Sequence, residues 1–416
     1  MGPDRIGIGV IHPLRIARAG RAGLFAAAYG LALAAWAAAQ PAPLQPVHTW
    51  ECPARGVVTD VAMSPDENRV AFASIEALPS TRPGEGRFQE VLRVVNFRNA
   101  CRLVEPGQAA TPAPPRQGDL PRALFDLQFS GDGLMLAYGD GSAVYVVRTA
   151  DLKRLWKFEI PISDHGTVIP ALALARNVHL AAVLARPFRL PPPASGPRLL
   201  KRPEFLNLLR IYDLDTGQVR ADVKIGGAVR AVDVALSADG SRAAVVLRPA
   251  QVEDAAIPDF MVVDTASGQL LQAVHAGVNG PVAPATSSAV WSLDGAGDYY
   301  NRTFRLIDLQ DAQVVRSIDR PAQRVPACLA TSANGLYLAS TLWHPSAMVP
   351  DVFVLGRMTP APVDLAVWDT RSGALVGQVA SVASTAVKLS ASGRFLLAGT
   401  RIFEFDFAPQ SNRGGH

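Results

Sequence analysis

Charged residues make up only 18% of the 416-residue chain, and aromatic residues only 7%. This low charge, combined with 49% hydrophobic residues, excludes an intrinsically disordered or acidic-tail protein. Gly (34 residues) and Pro (33 residues) interrupt the sequence often, which favours many short strands over long helices. The length allows roughly two or three ordinary domains, or one large all-β domain.

The sequence also lacks the common motifs of catalytic and cofactor sites. It contains no GxSxG nucleophile elbow, no glycine-rich phosphate loop and no HExxH zinc motif. It has no CxxC and only three cysteines, Cys52, Cys101 and Cys328, which cannot all pair within one chain. Cys52 and Cys101 are the pair nearest in sequence, but spacing leaves open whether they form a disulfide. We therefore predict no metal and no cofactor.

Residues 1–39 have the parts of a secretory signal peptide. A basic run with four arginines precedes the uncharged segment 24–39, which ends in Ala37-Ala38-Ala39. This order predicts export and cleavage, and hence a periplasmic or secreted protein. The alternative is an uncleaved membrane anchor, because residues 22–39 form an uncharged stretch just long enough to span a bilayer.

The leader also carries much of the positive charge. The whole chain has a formal net charge of +4, and the leader contributes four arginines and one aspartate, so the remainder is close to neutral. A near-neutral chain gives no support to nucleic-acid binding by bulk charge. We expect no nucleic-acid partner and, after cleavage, no stable insertion into a membrane.

A turn of the form Ser-x-Asp/Asn-Gly recurs through the rest of the chain. Each copy follows an alternating strand and precedes a strand of small apolar residues, as expected of tight hairpins in stacked sheets. The copies begin at Ser64, Ser130, Ser237, Ser332 and Ser390, with weaker ones at Ala175 and Ser292. The repeat therefore predicts seven units.

A second turn, Asp-x-x-Ser/Thr-Gly, closes a later strand in several units. It begins at Asp213, Asp264 and Asp369, with a weaker copy at Asp308. Two tight turns per unit indicate four antiparallel strands, and seven such units predict an all-β, seven-bladed β-propeller. The paired turns and Val367-Trp368-Asp369 resemble the WD-repeat-like propellers of bacterial envelopes, including YVTN-type and TolB-type repeats.

The ends of the repeat region predict how the ring closes. The last unit has only three strands after its start, and residues 46–52 can supply the fourth. Pairing the two ends in one blade removes an exposed sheet edge. We predict a propeller over residues 40–408, followed by a polar tail, 409–416. Two separate β-sandwich domains are the alternative.

Long inserts are predicted to crowd one face of the propeller. They occupy segments 76–89, 186–205, 249–259 and 343–362, between the second and third strands of their units. The segments 105–122 and 275–289 are predicted to be long links between blades. Long loops in a compact domain are usually functional or disordered, so this insert-bearing face is either the working surface or a set of tolerated insertions.

Two inserts carry the candidate partner-binding residues. The blade 3 insert is basic and proline-rich, which suits an acidic partner, although it is equally compatible with a solvated loop. The blade 6 insert is apolar, which fits either a partner-binding patch or ordinary core. The candidates are Arg186, Phe188, Arg189, Arg198, Lys201 and Arg202 in blade 3, and Trp343, His344, Met348 and Phe353 in blade 6.

The sequence thus predicts an exported, non-catalytic interaction platform that binds a protein or cell-envelope partner. The alternative is a propeller enzyme or enzyme subunit, such as a dehydrogenase subunit or a lactonase-like hydrolase. Its site would lie at the mouth of the central channel, where His165, His275 and His344 could converge. Nothing in the spacing of these histidines requires that convergence.

Overall fold

The computed structural model describes most of the chain after residue 42. The chain divides into two compact units, Met1–Pro43 and Leu44–His416. In the described part, no helix is long and apolar enough to cross a bilayer. The described residues are 43–53, 56–78, 87–103, 125–160, 167–187, 207–226, 229–249, 257–294, 303–321, 324–343, 362–384 and 386–407.

The second unit consists of seven antiparallel sheets, as the repeat predicts. The first strand, β1 (His48–Glu51), belongs to the last sheet and is followed by the strands of blade 1. Blade 1 contains β2 (Val57–Met63), β3 (Arg69–Leu78), β4 (Arg87–Asn96) and β5 (Arg102–Leu103). Blade 2 contains β6 (Phe125–Phe129), β7 (Met135–Gly139), β8 (Ala143–Arg148) and β9 (Arg154–Glu159).

The next three blades follow the same order from the inner to the outer strand. Blade 3 contains β10 (Thr167–Leu174), β11 (Leu180–Pro187), β12 (Asn207–Asp213) and β13 (Val219–Ile225). Blade 4 contains β14 (Val229–Leu236), β15 (Arg242–Pro249), β16 (Phe260–Asp264) and β17 (Leu270–Val274). Blade 5 contains β18 (Val278–Pro284), β19 (Ala289–Asp294), β20 (Phe304–Asp308) and β21 (Val314–Ile318).

Blade 6 departs slightly from the four-strand pattern because its inner strand is split into two short pieces. These are β22 (Val325–Pro326) and β23 (Ala330–Thr331), and both pair with the second strand. The remaining strands are β24 (Tyr337–Trp343), β25 (Pro362–Asp369) and β26 (Leu375–Ala383). Blade 7 contains β27 (Val387–Leu389), β28 (Phe395–Ala398) and β29 (Arg401–Glu404), with β1 as its outer strand.

The N-terminal segment closes the ring in the predicted way. Strand β1 pairs antiparallel with β29, in a register that places Thr49 opposite Phe403. Directly after β1, Cys52 forms a disulfide with Cys101, which lies in the turn between β4 and β5 of blade 1. The disulfide therefore joins the last blade to the first, across the closure of the ring.

The core lies between successive blades. The inner strand of each blade packs beside the inner strand of the next, so seven inner strands surround a central channel. Small and β-branched side chains fill most of the space between sheets, and the largest fully buried ones include Trp291 and Trp368. This explains the low aromatic content, because closely stacked sheets leave room mainly for alanine and valine.

The first repeated turn is built by its serine and acidic side chains. In blade 2, the Ser130 hydroxyl donates to Asp132 at 2.6 Å and accepts from the Met135 backbone N–H at 2.9 Å. Gly133 ends the turn with a φ of 72°, in the left-handed region that favours glycine. Ser64, Ser237 and Ser332 make the same pair of contacts in their blades.

The predicted turn of blade 5 is wrong, and so is the predicted link 275–289. Residues 292–294 lie inside strand β19, and the turn instead occupies the segment 285–288. The inner strand β18 lies within the segment predicted as a link. Its sequence contains Gly280, Pro281 and Pro284, residues that are rare in strands, and the register shifts between Val278 and Val282.

The four predicted inserts do fall between the second and third strands of their blades. In blade 1 the strands extend into the predicted insert, because β3 continues to Leu78 and β4 begins at Arg87. In blades 3, 4 and 6 the strands end and resume at the predicted limits, within three residues. The strand ends that flank these inserts lie on one face of the ring. The tight turns lie on the opposite face, which we call the turn face.

Candidate functional site

Carboxylates in the central channel connect neighbouring blades. Asp60 of blade 1 accepts a hydrogen bond from the Leu127 N–H of blade 2 at 2.7 Å. Asp126 of blade 2 accepts one from Leu172 of blade 3 at 2.9 Å, and Asp233 of blade 4 accepts one from Val282 of blade 5 at 2.8 Å. The same contact is thus made at three of the blade-to-blade interfaces.

A β-bulge positions each of these aspartates. The strand register shifts at Asp60 in β2, at Asp126 in β6 and at Asp233 in β14. A bulge re-aims the side chains beside it, and here the aspartate at each shift points along the ring toward the next blade. Asp126 also has a positive φ of 52°, which an aspartate tolerates better than most residues.

The sequence contains a signal for these positions that the motif search missed. Each aspartate stands four residues before the serine that opens the first turn of its blade. In blade 6 the equivalent residue is Cys328, whose thiol pKa is raised by burial. The equivalent residues of the other blades are uncharged: Ala171, Pro281 and Ala386.

One cation, Lys388 of strand β27, interacts with all three carboxylates. Burial alone would lower the pKa of its ammonium, but the charges of Asp60, Asp126 and Asp233 raise it overall. Burial and the charge of Asp233 raise the pKa of Asp126 to about 7. Burial raises the pKa of Asp233 to about 6, although two backbone N–H groups bind its carboxylate. The channel therefore holds a charge cluster around one lysine.

This cluster has the contacts of a structural device. Its three carboxylates are each engaged by backbone N–H groups, which orders the inner strands. Among the described residues, no group of three or more His, Cys, Asp or Glu side chains is arranged to hold a metal ion. The arrangement links neighbouring blades through hydrogen bonds. It also raises the pKa of Asp126 and Asp233 toward neutral pH, so the stability of the fold depends on pH in that range.

The predicted channel-mouth histidines are only partly within the described residues. His275 directly follows the outer strand β17 of blade 4, is exposed and interacts with Asp259. Its attachment to the outermost strand places it on the outer side of its blade. His165 and His344 lie outside the described residues, so the convergence of the three histidines stays a prediction.

On the insert-bearing face, Arg186 lies close to a second arginine. It stands near the end of β11, and the positive charge of Arg230 in β14, together with burial, lowers the pKa of its guanidinium. Arg248 of β15 lies directly opposite Arg230 in the strand register. The other blade 3 candidates, Phe188, Arg189, Arg198, Lys201 and Arg202, lie outside the described residues.

Trp343 marks the start of the blade 6 insert. It ends strand β24 and packs against the apolar core between blades 6 and 7, which includes Val363 and Phe405. This residue is half-buried and contributes to core packing. His344, Met348 and Phe353 lie outside the described residues, so the proposed apolar patch stays a prediction.

Comparisons with known proteins bear on the fold. No family model matches the chain, and no curated protein matches it. A crystal structure of the mitotic checkpoint complex contains a chain that is 14% identical, with a TM-score of 0.52 and coverage of 98% of this chain and 100% of that chain. The crystal structure of the RRP9 WD40 repeats is 12% identical, with a TM-score of 0.53 and coverage of 88% and 100%.

A third solved structure, that of U3-55K, is 11% identical, with a TM-score of 0.50 and coverage of 86% of this chain and 98% of that chain. Identities this low show the fold alone, and the closer resemblance to YVTN-type or TolB-type repeats stays a prediction. The chain is a seven-bladed β-propeller, similar in fold to WD40-repeat propellers.

Proposed function

We propose that this propeller is a non-catalytic scaffold whose insert-bearing face binds an acidic surface of a protein partner in the cell envelope. The observation that supports this most strongly is the basic character of one edge, where Arg248 lies opposite Arg230 in the strand register and the charge of Arg230 acts on Arg186. Two like charges held together on one edge of the ring favour an anionic group bound against them. The basic insert that follows Arg186 adds further cations to the same edge.

Arginines near the same face of other blades have carboxylate partners within their own blade. Arg93 pairs with Glu76 in blade 1. Arg305 contacts Asp294 at 2.8 Å in blade 5, and Arg324 contacts Asp364 at 2.9 Å in blade 6. At the blade 3 and blade 4 edge, by contrast, the charge that acts on Arg186 is the like charge of Arg230, which suits this part of the face to an acidic partner.

The fold supports the same proposal in a more general way. WD40-repeat propellers are among its neighbours, and one neighbour is a chain of a multi-protein complex. We also propose that the protein is exported and that its leader is cleaved after Ala39. The leader sequence and the Cys52–Cys101 disulfide both support an oxidising compartment.

Deleting residues 189–202 is expected to abolish partner binding and to leave the fold intact, because strands β11 and β12 flank the deleted segment. The measurement is a cross-linking pull-down from envelope extract with residues 40–416. The double variant Arg186→Gln/Arg230→Gln should lose the same partner without any deletion, since it removes the two facing charges.

The matched control is Arg102→Gln/Lys224→Gln, which removes two exposed charges from outer strands of blades 1 and 3. It should capture the partner as well as the unmodified protein does. Equal capture by all four proteins would refute the assignment of this edge. If no partner is captured by any form, the scaffold function itself is refuted.

A further inference from the structure

A groove on the turn face lies between blades 2 and 3. It encloses about 560 Å³ and is open to solvent. Its apolar lining includes Leu134, Leu155, Trp156 and Leu214. Leu134 is 62% exposed, the largest exposure among the large apolar side chains of the described residues. A leucine exposed at the edge of an apolar groove is a common feature of a binding surface.

Four cations surround this apolar lining: Arg69, Arg148, Lys153 and Arg154. Two have nearby carboxylates, since Arg69 lies 3.9 Å from Asp66 and Arg148 lies 3.4 Å from Asp151. Lys153 and Arg154 are exposed, and neither forms an ion pair with any residue that the structure describes.

Among the described residues that line the groove, Asp215 is the only one with a carboxylate, and this carboxylate is already engaged. His179 contacts Asp215 through Nδ1 at 2.6 Å and Asp132 through Nε2 at 2.9 Å. The hydrogen bond to Asp215 raises the pKa of this histidine, which favours its charged form. The groove therefore presents Lys153 and Arg154 without a carboxylate to offset them.

The second turn of blade 2 breaks the rule that blades 3 to 6 follow. In blades 3 to 6, strand three ends in an aspartate whose carboxylate accepts hydrogen bonds from backbone N–H groups of the turn. In blade 2 this position is Arg148, which has no acceptor to offer. Blade 1 keeps an acceptor at this position, because Asn96 accepts a hydrogen bond from the Asn99 backbone N–H at 3.1 Å. A turn that gives up an acceptor kept in these five blades points to a local function there.

Another residue of the same turn also departs from the pattern, but for a structural reason. Leu152 has a φ of 52° at the position where blades 3, 4 and 6 have glycine. Its side chain packs against the core between blades 1 and 2, which explains its retention. Arg148 is exposed, so burial in the core does not explain it.

A buried hydroxyl in the groove gives a second, independent observation. Thr149 is only 1% exposed and lines the groove, yet its Oγ1 has no hydrogen-bond partner among the described residues. The equivalent threonines Thr265 and Thr370 each donate to the carbonyl of the glycine in the first turn of their blade. A buried polar atom left without a partner destabilises the fold, and a bound ligand that supplies the partner can remove that cost.

We propose that this groove is a second binding site, which takes an acidic peptide segment of a partner protein that carries one large apolar side chain. The carboxylates of the segment would contact Lys153 and Arg154, and its apolar side chain would lie against Leu134 and Trp156. A peptide group near Thr149 would supply the missing acceptor. The site lies on the opposite face from Arg186 and does not depend on the function proposed above.

The shape and composition of the groove favour a peptide over other anions. A groove with an apolar lining binds apolar side chains, whereas nucleic acids and anionic lipids are bound mainly through their phosphates. Only part of the lining is basic, and the chain without its leader is close to neutral. A phosphate-binding surface would gain nothing from the exposed Leu134.

The test is selection of a displayed library of random 12-residue peptides on the full chain. Selected peptides should be rich in Asp and Glu next to a leucine or an aromatic residue. Their Kd should weaken by about tenfold or more with Lys153→Glu/Arg154→Glu, and measurably with Leu134→Ser. The control Arg102→Glu/Lys224→Glu makes the same charge change on outer strands and should leave Kd unchanged.

Three outcomes would overturn the proposal. One is a selection that gives no peptide with Kd below about 1 mM. Another is a set of peptides that bind the groove variant and the control equally. The third is binding of phosphatidylglycerol vesicles or single-stranded DNA that depends on Lys153 and Arg154 and is not displaced by the peptides. Because Arg186 and Arg230 are unchanged in these variants, the outcome is separate from the envelope pull-down.

Discussion

Replacing Lys388 with methionine is expected to lower the free energy of unfolding by about 2–4 kcal/mol at pH 8. Its ammonium interacts with the carboxylates of Asp60, Asp126 and Asp233 in the central channel. Methionine keeps most of the length of the side chain but removes the positive charge, so the partly buried carboxylates lose their counter-charge. Urea denaturation, analysed at an unchanged m-value, measures this loss.

The effect of this substitution should depend on pH because Asp126 and Asp233 bind protons more tightly in the folded protein. The pKa of Asp126 is raised to about 7, mainly by burial, and that of Asp233 to about 6. An unfolded aspartate has a pKa of about 3.9, so the folded state holds more protons between about pH 4 and pH 7.

The sign of the pH dependence follows from that difference. The free energy of unfolding of the unmodified protein should fall as pH rises through this window, by about 2 kcal/mol after solvent screening in the channel. At pH 5 both aspartates are largely protonated in the folded state, so fewer charges depend on Lys388. Lys388→Met should then cost only about 1 kcal/mol.

Asp126→Asn provides a matched test of the charge cluster. The asparagine oxygen can still accept the hydrogen bond from Leu172, but the side chain no longer titrates. We expect Asp126→Asn to flatten the pH dependence of the free energy of unfolding. Combined with Lys388→Met, it should restore about half of the stability that Lys388→Met alone loses at pH 8. An equal loss for Lys388→Met at pH 5 and pH 8 would show that the charges do not carry the effect.

A surface control separates this effect from the loss of any lysine. Lys224 is exposed on the outer strand β13. Lys224→Met should change the free energy of unfolding by less than about 0.5 kcal/mol at either pH.

The propeller could be predicted because its turns are local. Serine, aspartate and glycine at fixed offsets specify a hairpin within a few residues, and the same offsets recur blade after blade. Blade 5 was misassigned where this local chemistry is missing. Its first turn contains Thr286 and Ser288 instead of Asp-Gly, and its inner strand contains two prolines, so only pairing with β19 defines it as a strand.

The channel cluster and the groove could not be predicted in the same way, because their members come from different blades. Asp126 and Lys388 are distant in sequence and meet only when the ring has closed. The repeat does contain a partial signal: an aspartate four residues before three of the turn serines, and Arg148 where an aspartate is expected. Such departures from an internal repeat become informative once the fold assigns each position its structural role.

Removing the disulfide with Cys52→Ser/Cys101→Ser is expected to lower the free energy of unfolding by about 4 kcal/mol. The two cysteines are 49 residues apart, with a Cα–Cα distance of 5.4 Å. A cross-link across a loop of this length restricts the unfolded chain, and here it also joins the last blade to the first. Urea denaturation of the double variant beside the oxidised protein measures the loss.

A reducing agent provides the control for this prediction. Dithiothreitol should lower the stability of the unmodified protein toward that of the double variant, and it should not change the variant. If reduction destabilised both proteins equally, the loss would have to come from somewhere other than the Cys52–Cys101 bond.

The disulfide should also decide where the ring opens first. Without it, β1 is held by its pairing with β29 and by Trp50, whose ring lies 5.4 Å from that of Phe97 and 6.0 Å from that of Phe395. Phe97 belongs to blade 1 and Phe395 to blade 7, so these ring contacts span the same closure as the disulfide. Unlike the disulfide, they are not covalent.

Amide exchange at Thr49 and Phe403 should therefore accelerate more in the double variant than exchange in β16 of blade 4. Equal acceleration at both places would mean that the ring unfolds as one unit and that the closure is not its weakest point.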